Sequence, residues 1–199
     1  MYFVRYLLVT ICLAGMQALP AQAAQKPLVI LIPGAGGAVP NDFLVRNKSG
    51  FQRAGFAVKI TTSPRDAAKT IRQQSARRKV YLVGMSKGAM MSARILSRGV
   101  RPAAAVFVSG NYQRVMATMG SAVQLPSTLV VHHRQDRCRM SAPGHVSAFV
   151  NWSRGRVRVA WMSMSGGGND NPCGPNGAHG FFRKDQKPIA AITRFLRTH

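Results

Sequence analysis

Six short apolar runs rich in β-branched residues, separated by stretches with helical spacing, constrain this chain more than any other feature. The first, "PLVILIP" from Pro27, is continuously hydrophobic and ends in Gly34-Ala-Gly-Gly. A parallel strand buried on both faces has this pattern. "FAVKITT" (Phe56 to Thr62), "KVYLVG", "AAAVFVSG", "STLVVHH" and "RVRVAWM" repeat it. Between them we expect a helix capped by Asn41 or Asp42, with Phe43, Leu44 and Phe51 as core contacts, and a second over Asp66 to Arg78. A third covers "GAMMSARILSR" and is followed, after the next strand, by a looser segment to Pro126. One more lies within Met140 to Trp152, and the last runs from about Lys184 to Arg197. Strands and helices that alternate in this way predict an α/β fold. We expect about six mainly parallel strands, right-handed crossovers and helices on both faces. In such sheets active groups gather outside the carboxyl ends of the strands.

The start of the chain has a different character. Arg5 precedes an apolar run from Tyr6 to Met16, and Ala21-Gln22-Ala23 has the small-x-small pattern of a cleavage site. Residues 1–23 read as a secretory signal, since the run is shorter than the roughly 20 residues that span a bilayer. Export to a periplasm or beyond follows, with no transmembrane segment in the mature chain. Residues 24–199 read as a single domain, because no linker, repeat or low-complexity tract divides them. Cys12 leaves with the signal, so Cys138 and Cys173 remain as an even pair in an oxidising compartment and are expected to form a disulfide.

Charge sets the class of partner. Losing Arg5 takes the formal net charge from +23 to +22, a field that attracts anions. The basic residues are nevertheless scattered, with no aromatic-interleaved stripe, zinc knuckle or helix-turn-helix. No specific nucleic-acid partner is expected.

The turn "GMSKG" after the third strand carries the chemistry. Gly84-x-Ser86-x-Gly88 is the pattern of a nucleophile elbow, in which a strained strand-to-helix turn lifts a serine above the sheet. The glycines are expected where strand and helix pass too closely for side chains. A serine needs a base, and the base needs an orienting carboxylate. Five acidic residues exist: Asp42, Asp66 and Asp185 look like caps or helix starts, and Asp170 lies in "GGGNDNPCG". Asp136, just past the strand "STLVVHH", is the chosen acid, with Asp170 held in reserve. His179, in the loop after the last strand, is the chosen base; the bland alternative is a packing histidine in a turn. Cys138 and Cys173 flank these positions, so a bridge between them would tie the acid loop to the base loop. A metal site at His132, His133 and Asp136 carries little weight, because adjacent strand histidines point to opposite faces. No metal or other cofactor is expected.

With Ser, Asp and His in that order, the chain resembles the α/β-hydrolase superfamily, in particular its short, lidless, dienelactone-hydrolase-like members. The resemblance spans about Lys26 to Leu196. By this likeness "VILIPGAGG" is the family's third strand and oxyanion loop, and the elbow follows its fifth strand. Asp136 then follows the seventh and His179 the eighth. The oxyanion hole would combine the backbone N–H of Lys87 with that of Ala35 or Gly36. Two features depart from the family pattern: the first two antiparallel strands are missing, which makes a reduced fold, and Pro33-Gly34 replaces the frequent His-Gly. Dienelactone hydrolase itself uses a cysteine, whereas Ser86 stands here, so only generic serine hydrolysis carries over.

These readings lead to an exported serine hydrolase, a carboxylesterase of small-molecule esters. Lys87 and the basic field motivate the weaker expectation of an anionic substrate. The alternative is a non-catalytic basic envelope protein that binds an anionic polymer.

Overall fold

A computed structural model describes residues 25–166 and 171–199; the expected signal, 1–23, and Asp170 lie outside the described residues. Six strands form one sheet: β1 (Leu28–Ile32), β2 (Ala57–Ile60), β3 (Val80–Met85), β4 (Ala104–Val108), β5 (Thr128–His133) and β6 (Val157–Met162). Every pairing is parallel, in the order β2-β1-β3-β4-β5-β6. The four inner strands are buried along their whole length, and only the edges β2 and β6 are partly exposed. Lys59 and Arg158 sit on those edges, where a charge meets water and discourages further pairing.

Alternation along each strand sends side chains to two cores. Ile30, Leu82, Phe107 and Val130 pack under α3 (Pro64–Gln74), α4 (Lys87–Ser97), α5 (Tyr112–Met119) and α6 (His145–Trp152). Leu31, Val83, Val106 and Val131 pack under α1 (Phe43–Arg46), α2 (Lys48–Arg53) and α7 (Gln186–Arg197). Helices therefore cover both faces, as the continuous apolar strands require.

Some elements differ from expectation. The first helix is broken at Asn47, whose side chain donates to Phe43 O and to Asp185 instead of continuing the spiral. Helix α3 starts at Pro64 under a Ser63 cap, two residues before Asp66, and ends at Gln74. The looser segment before Pro126 contains α5, capped by Asn111 and buried through Tyr112, Val115 and Met119. Among the described residues no helix is long and apolar enough to cross a membrane.

Strand order positions the site. The chain moves from β1 outward to β2, then returns to add β3 on β1's other side, so the loops after β1 and β3 leave in opposite directions. That reversal opens a crevice at the carboxyl ends of β1 and β3. Register places Ile32 beside Gly84, and Met85 beside Val108, which brings the Gly34 loop and Ser86 to this crevice.

Candidate active site

Ser86 lies between β3 and α4 with φ 52° and ψ −113°, a conformation that non-glycine residues rarely adopt. The turn is held because Ser86 N donates to Val108 O at 2.8 Å. The two elbow glycines are sterically required. A Cβ on Gly84 would stand 2.5 Å from Gly88 O, and one on Gly88 would collide with Ile32 O. Ser86 is the N-cap residue of α4 by position, yet its side chain makes no capping bond, so Oγ is not tied to the helix.

The loop after β1 passes over this serine. A Cβ on Gly34 would lie 3.6 Å from Ser86 Cβ. One carboxylate pins the loop: Asp42 Oδ2 accepts from Gly34 N at 2.8 Å, while Oδ1 caps α1 at Leu44 N and Val45 N. Asp42 is a cap, as expected, and also a staple for the loop. Among the described residues, the backbone N–H groups of Lys87, Ala35 and Gly36 find no protein acceptor. A developing oxyanion needs unengaged donors of this kind.

Asp136 follows β5 in a turn closed by Asp136 N to His133 O. Its side chain is fully buried. Oδ1 accepts from Cys138 N at 3.0 Å, and Oδ2 accepts from His179 Nδ1 at 2.9 Å and from Ser141 Oγ at 2.8 Å. His179 is 3% exposed. Its loop is secured from both sides: Ser109 Oγ donates to His179 O at 2.9 Å, and Arg46 Nη2 donates to Gly180 O at 2.8 Å. Arg46 also forms a two-pronged ion pair with Asp185, both contacts at 2.7 Å, which anchors the loop to the start of α7. Phe181, Phe182 and Arg183 all have positive φ, and the buried Phe181 ring meets Phe43 edge-on.

Ser86 and His179 line one cavity of about 230 Å³, with Gly34, Ala35, Gly36, Met85, Val39 and Met140 among its other walls. No hydrogen bond joins Ser86 Oγ to His179. Such contacts are often long before substrate binds. A larger cleft of about 1180 Å³ touches Asp136, Arg134 and Arg137 but does not include Ser86.

Cys138 and Cys173 are bridged, with Cα atoms 4.6 Å apart, and both line the Ser86 cavity. The bridge joins the Asp136 loop to the segment that leads into His179.

Sequence reasoning missed several residues around the site. Ser141 sits in a 3-10 turn, Arg139–Ser141, where no periodicity marks it. Val39 and Met140, exposed at the cavity, are single apolar residues in irregular segments. His132 is fully buried, with Nε2 3.5 Å from Asp136 Oδ2 and Nδ1 3.2 Å from the Tyr112 hydroxyl. Burial lowers the His132 pKa to about 4 against an opposing pull from Asp136, and burial likewise raises that of Tyr112. His133 faces elsewhere: its Nδ1 accepts from Gln135 N at 3.0 Å, and its Nε2 lies 2.9 Å from Met164 O and 3.1 Å from Met164 N. Among the described residues no group of three or more His, Cys, Asp or Glu is arranged to hold a metal ion.

No protein-family model matches the sequence, and no curated protein matches it. Solved structures do. An α/β serine hydrolase without a lid from Xanthomonas campestris superposes with TM-score 0.65 at 19% identity, covering 90% of this chain and 85% of that one. An α/β serine hydrolase homologue from Coxiella burnetii gives 0.64 at 18%, covering 86% and 85%. The esterase domain of a Rhodothermus marinus protein gives 0.60 at 10%, covering 90% and 88%. With its six parallel strands, two helical layers and a serine at the sheet's reversal point, this chain has the fold of the lidless α/β serine hydrolases.

Proposed function

We propose that the protein is an exported serine hydrolase that cleaves carboxylic esters through an acyl-enzyme on Ser86. The observation that carries this reading is the buried 2.9 Å contact between His179 Nδ1 and Asp136 Oδ2, beside a cavity that also holds Ser86 at its strained turn. With Nδ1–H committed to Asp136, His179 Nε2 takes the Ser86 proton as Oγ attacks the ester carbonyl. The N–H groups of Lys87 and of Ala35 or Gly36 receive the oxyanion. His179 then returns the proton to the departing alcohol, and water releases the acid by the same route. Export rests on the signal pattern of residues 1–23.

The cavity also bears on the acyl group. Val39, Met85, Met140 and Pro175 line it, no lysine or arginine among the described residues does, and both Asp42 oxygens are already engaged. A compact, uncharged acyl group fits such walls, so an anionic group on the substrate belongs on the leaving alcohol.

The test is to treat mature protein with a fluorophosphonate and locate the adduct by peptide mass spectrometry. Labelling at Ser86 that is lost in Ser86→Ala and in His179→Ala is the expected result. Folded wild type that stays unlabelled overturns the reading. In that event the strongly basic charge favours the second reading, a binder of anionic polymer, recognised by steeply salt-dependent binding that Ser86→Ala leaves unchanged.

A further inference from the structure

Asp136 Oδ2 receives two donors at once. His179 Nδ1 lies 2.9 Å from it and Ser141 Oγ 2.8 Å, while Ser141 Oγ is itself 3.0 Å from His179 Nδ1. The three atoms close a triangle of buried polar groups, with Ser141 only 1% exposed. Proton counting orients it. An ionised carboxylate only accepts, and a hydroxyl has a single proton. Ser141 therefore gives its proton to Asp136 Oδ2 and turns a lone pair toward Nδ1. The proton on Nδ1 is shared between the carboxylate and that hydroxyl oxygen, which leaves Nε2 bare, as a base requires.

Among the described residues nothing else at the carboxylate duplicates this contact. Oδ1 is occupied by Cys138 N, and His132 Nε2, at 3.5 Å from Oδ2, is too distant for a good hydrogen bond. Ser141 is also well held, since its own N–H donates to Cys138 O at 3.0 Å in the turn that follows the disulfide.

We propose that Ser141 is a positioning residue for the acid–base pair, fixing the Asp136 carboxylate and the Nδ1–H tautomer of His179. The inference rests on the acyl-enzyme reading of Ser86 for its effect on turnover. Because Ser141 does not line the cavity, its loss should spare substrate binding and strike the chemical step.

Wild type, Ser141→Ala and Ser141→Thr are compared with p-nitrophenyl acetate as the probe, each rate normalised to folded protein. In Ser141→Ala, kcat should fall about 10-fold or more, with KM within about twofold of wild type. Ser141→Thr, which keeps the hydroxyl, should recover most of the loss. A second measurement guards against a threonine that does not fit. The low-field Nδ1–H resonance of His179, assigned by its loss in His179→Gln, should exchange with water faster in Ser141→Ala. Wild-type kcat in Ser141→Ala, or an unaltered resonance, overturns the proposal. If wild type neither turns over nor labels at Ser86, the hydrolase reading fails on its own, and the resonance still decides whether Ser141 fixes the tautomer.

Discussion

His132 shows how one buried side chain makes the molecule's stability depend on pH. Its ring lies between Tyr112 and Trp161, fully removed from solvent, and burial outweighs the nearby Asp136 charge in lowering its pKa from 6.5 to about 4. In the unfolded chain the same histidine takes up a proton near pH 6.5. As pH falls from 6.5 toward 4, the unfolded state therefore gains a proton that the folded state refuses, and stability declines. This stability is fully present above the unfolded pKa, and at about 1.4 kcal/mol per unit the loss reaches about 3 kcal/mol. Guanidinium unfolding between about pH 7 and pH 4.5 checks it. His132→Asn should be less stable than wild type at neutral pH, because Tyr112 loses a ring partner, yet show a shallower slope on the acid side. Parallel slopes would assign the acid sensitivity to another group. Ser86 holds a different kind of cost, a strained backbone kept in place by the Val108 hydrogen bond and by two glycines whose side chains would collide with their surroundings.

Among the elements, the Cys138–Cys173 bridge joins the turn that carries Asp136 to the segment leading into His179. It closes a separation of 35 residues, which in the chain-entropy account corresponds to about 3–4 kcal/mol. The double variant Cys138→Ser/Cys173→Ser should therefore melt well below wild type, and its rate of fluorophosphonate labelling should fall further than the folded fraction does. An unchanged rate per folded molecule would mean that Ser109, Arg46 and Ser141 hold the base loop unaided. The disulfide and all six strands were legible in the sequence: the strands because inner parallel strands must be apolar on both faces, the bridge because two cysteines follow the expected signal. Ser86, Asp136 and His179 were singled out because each follows a strand, and the structure brings Ser86 and His179 to one cavity and Asp136 to His179; their catalytic roles belong to the proposed function. Helix α5 was missed although Tyr112, Val115 and Met119 have helical spacing, since eight residues with polar neighbours look like a loop. Ser141 had no such trace, because its place depends on a turn closed by contacts distant in sequence. The same is true of the Arg46 clamp, whose partners Gly180 and Asp185 lie more than a hundred residues away.

At the scale of the whole molecule the charges are strongly one-sided. All four described acidic residues are engaged: Asp42 staples the Gly34 loop, Asp66 pairs with Lys59, Asp136 meets His179, and Asp185 pairs with Arg46. Among the described lysines and arginines, only Lys59 and Arg46 form ion pairs with side-chain carboxylates. The formal +23 is therefore left largely uncompensated, while among the described residues no lysine or arginine lines the Ser86 cavity. Such a field can steer an anion toward the crevice without holding it there. The consequence is kinetic. For an ester with a neutral acyl group and an anionic alcohol, kcat/KM should fall as salt rises from about 0.01 M to about 0.15 M, when the Debye length shrinks from about 30 Å to about 8 Å. A neutral ester of similar size should show little change, and kcat should stay level for both. Steady-state kinetics on the matched pair separates the outcomes. A salt-independent kcat/KM for the anionic ester would mean that the field does not reach the encounter, while a kcat that falls with salt would place a cation beside the reacting groups. Arg134 and Arg137, which line the larger cleft on Asp136, are the side chains to replace first in that case.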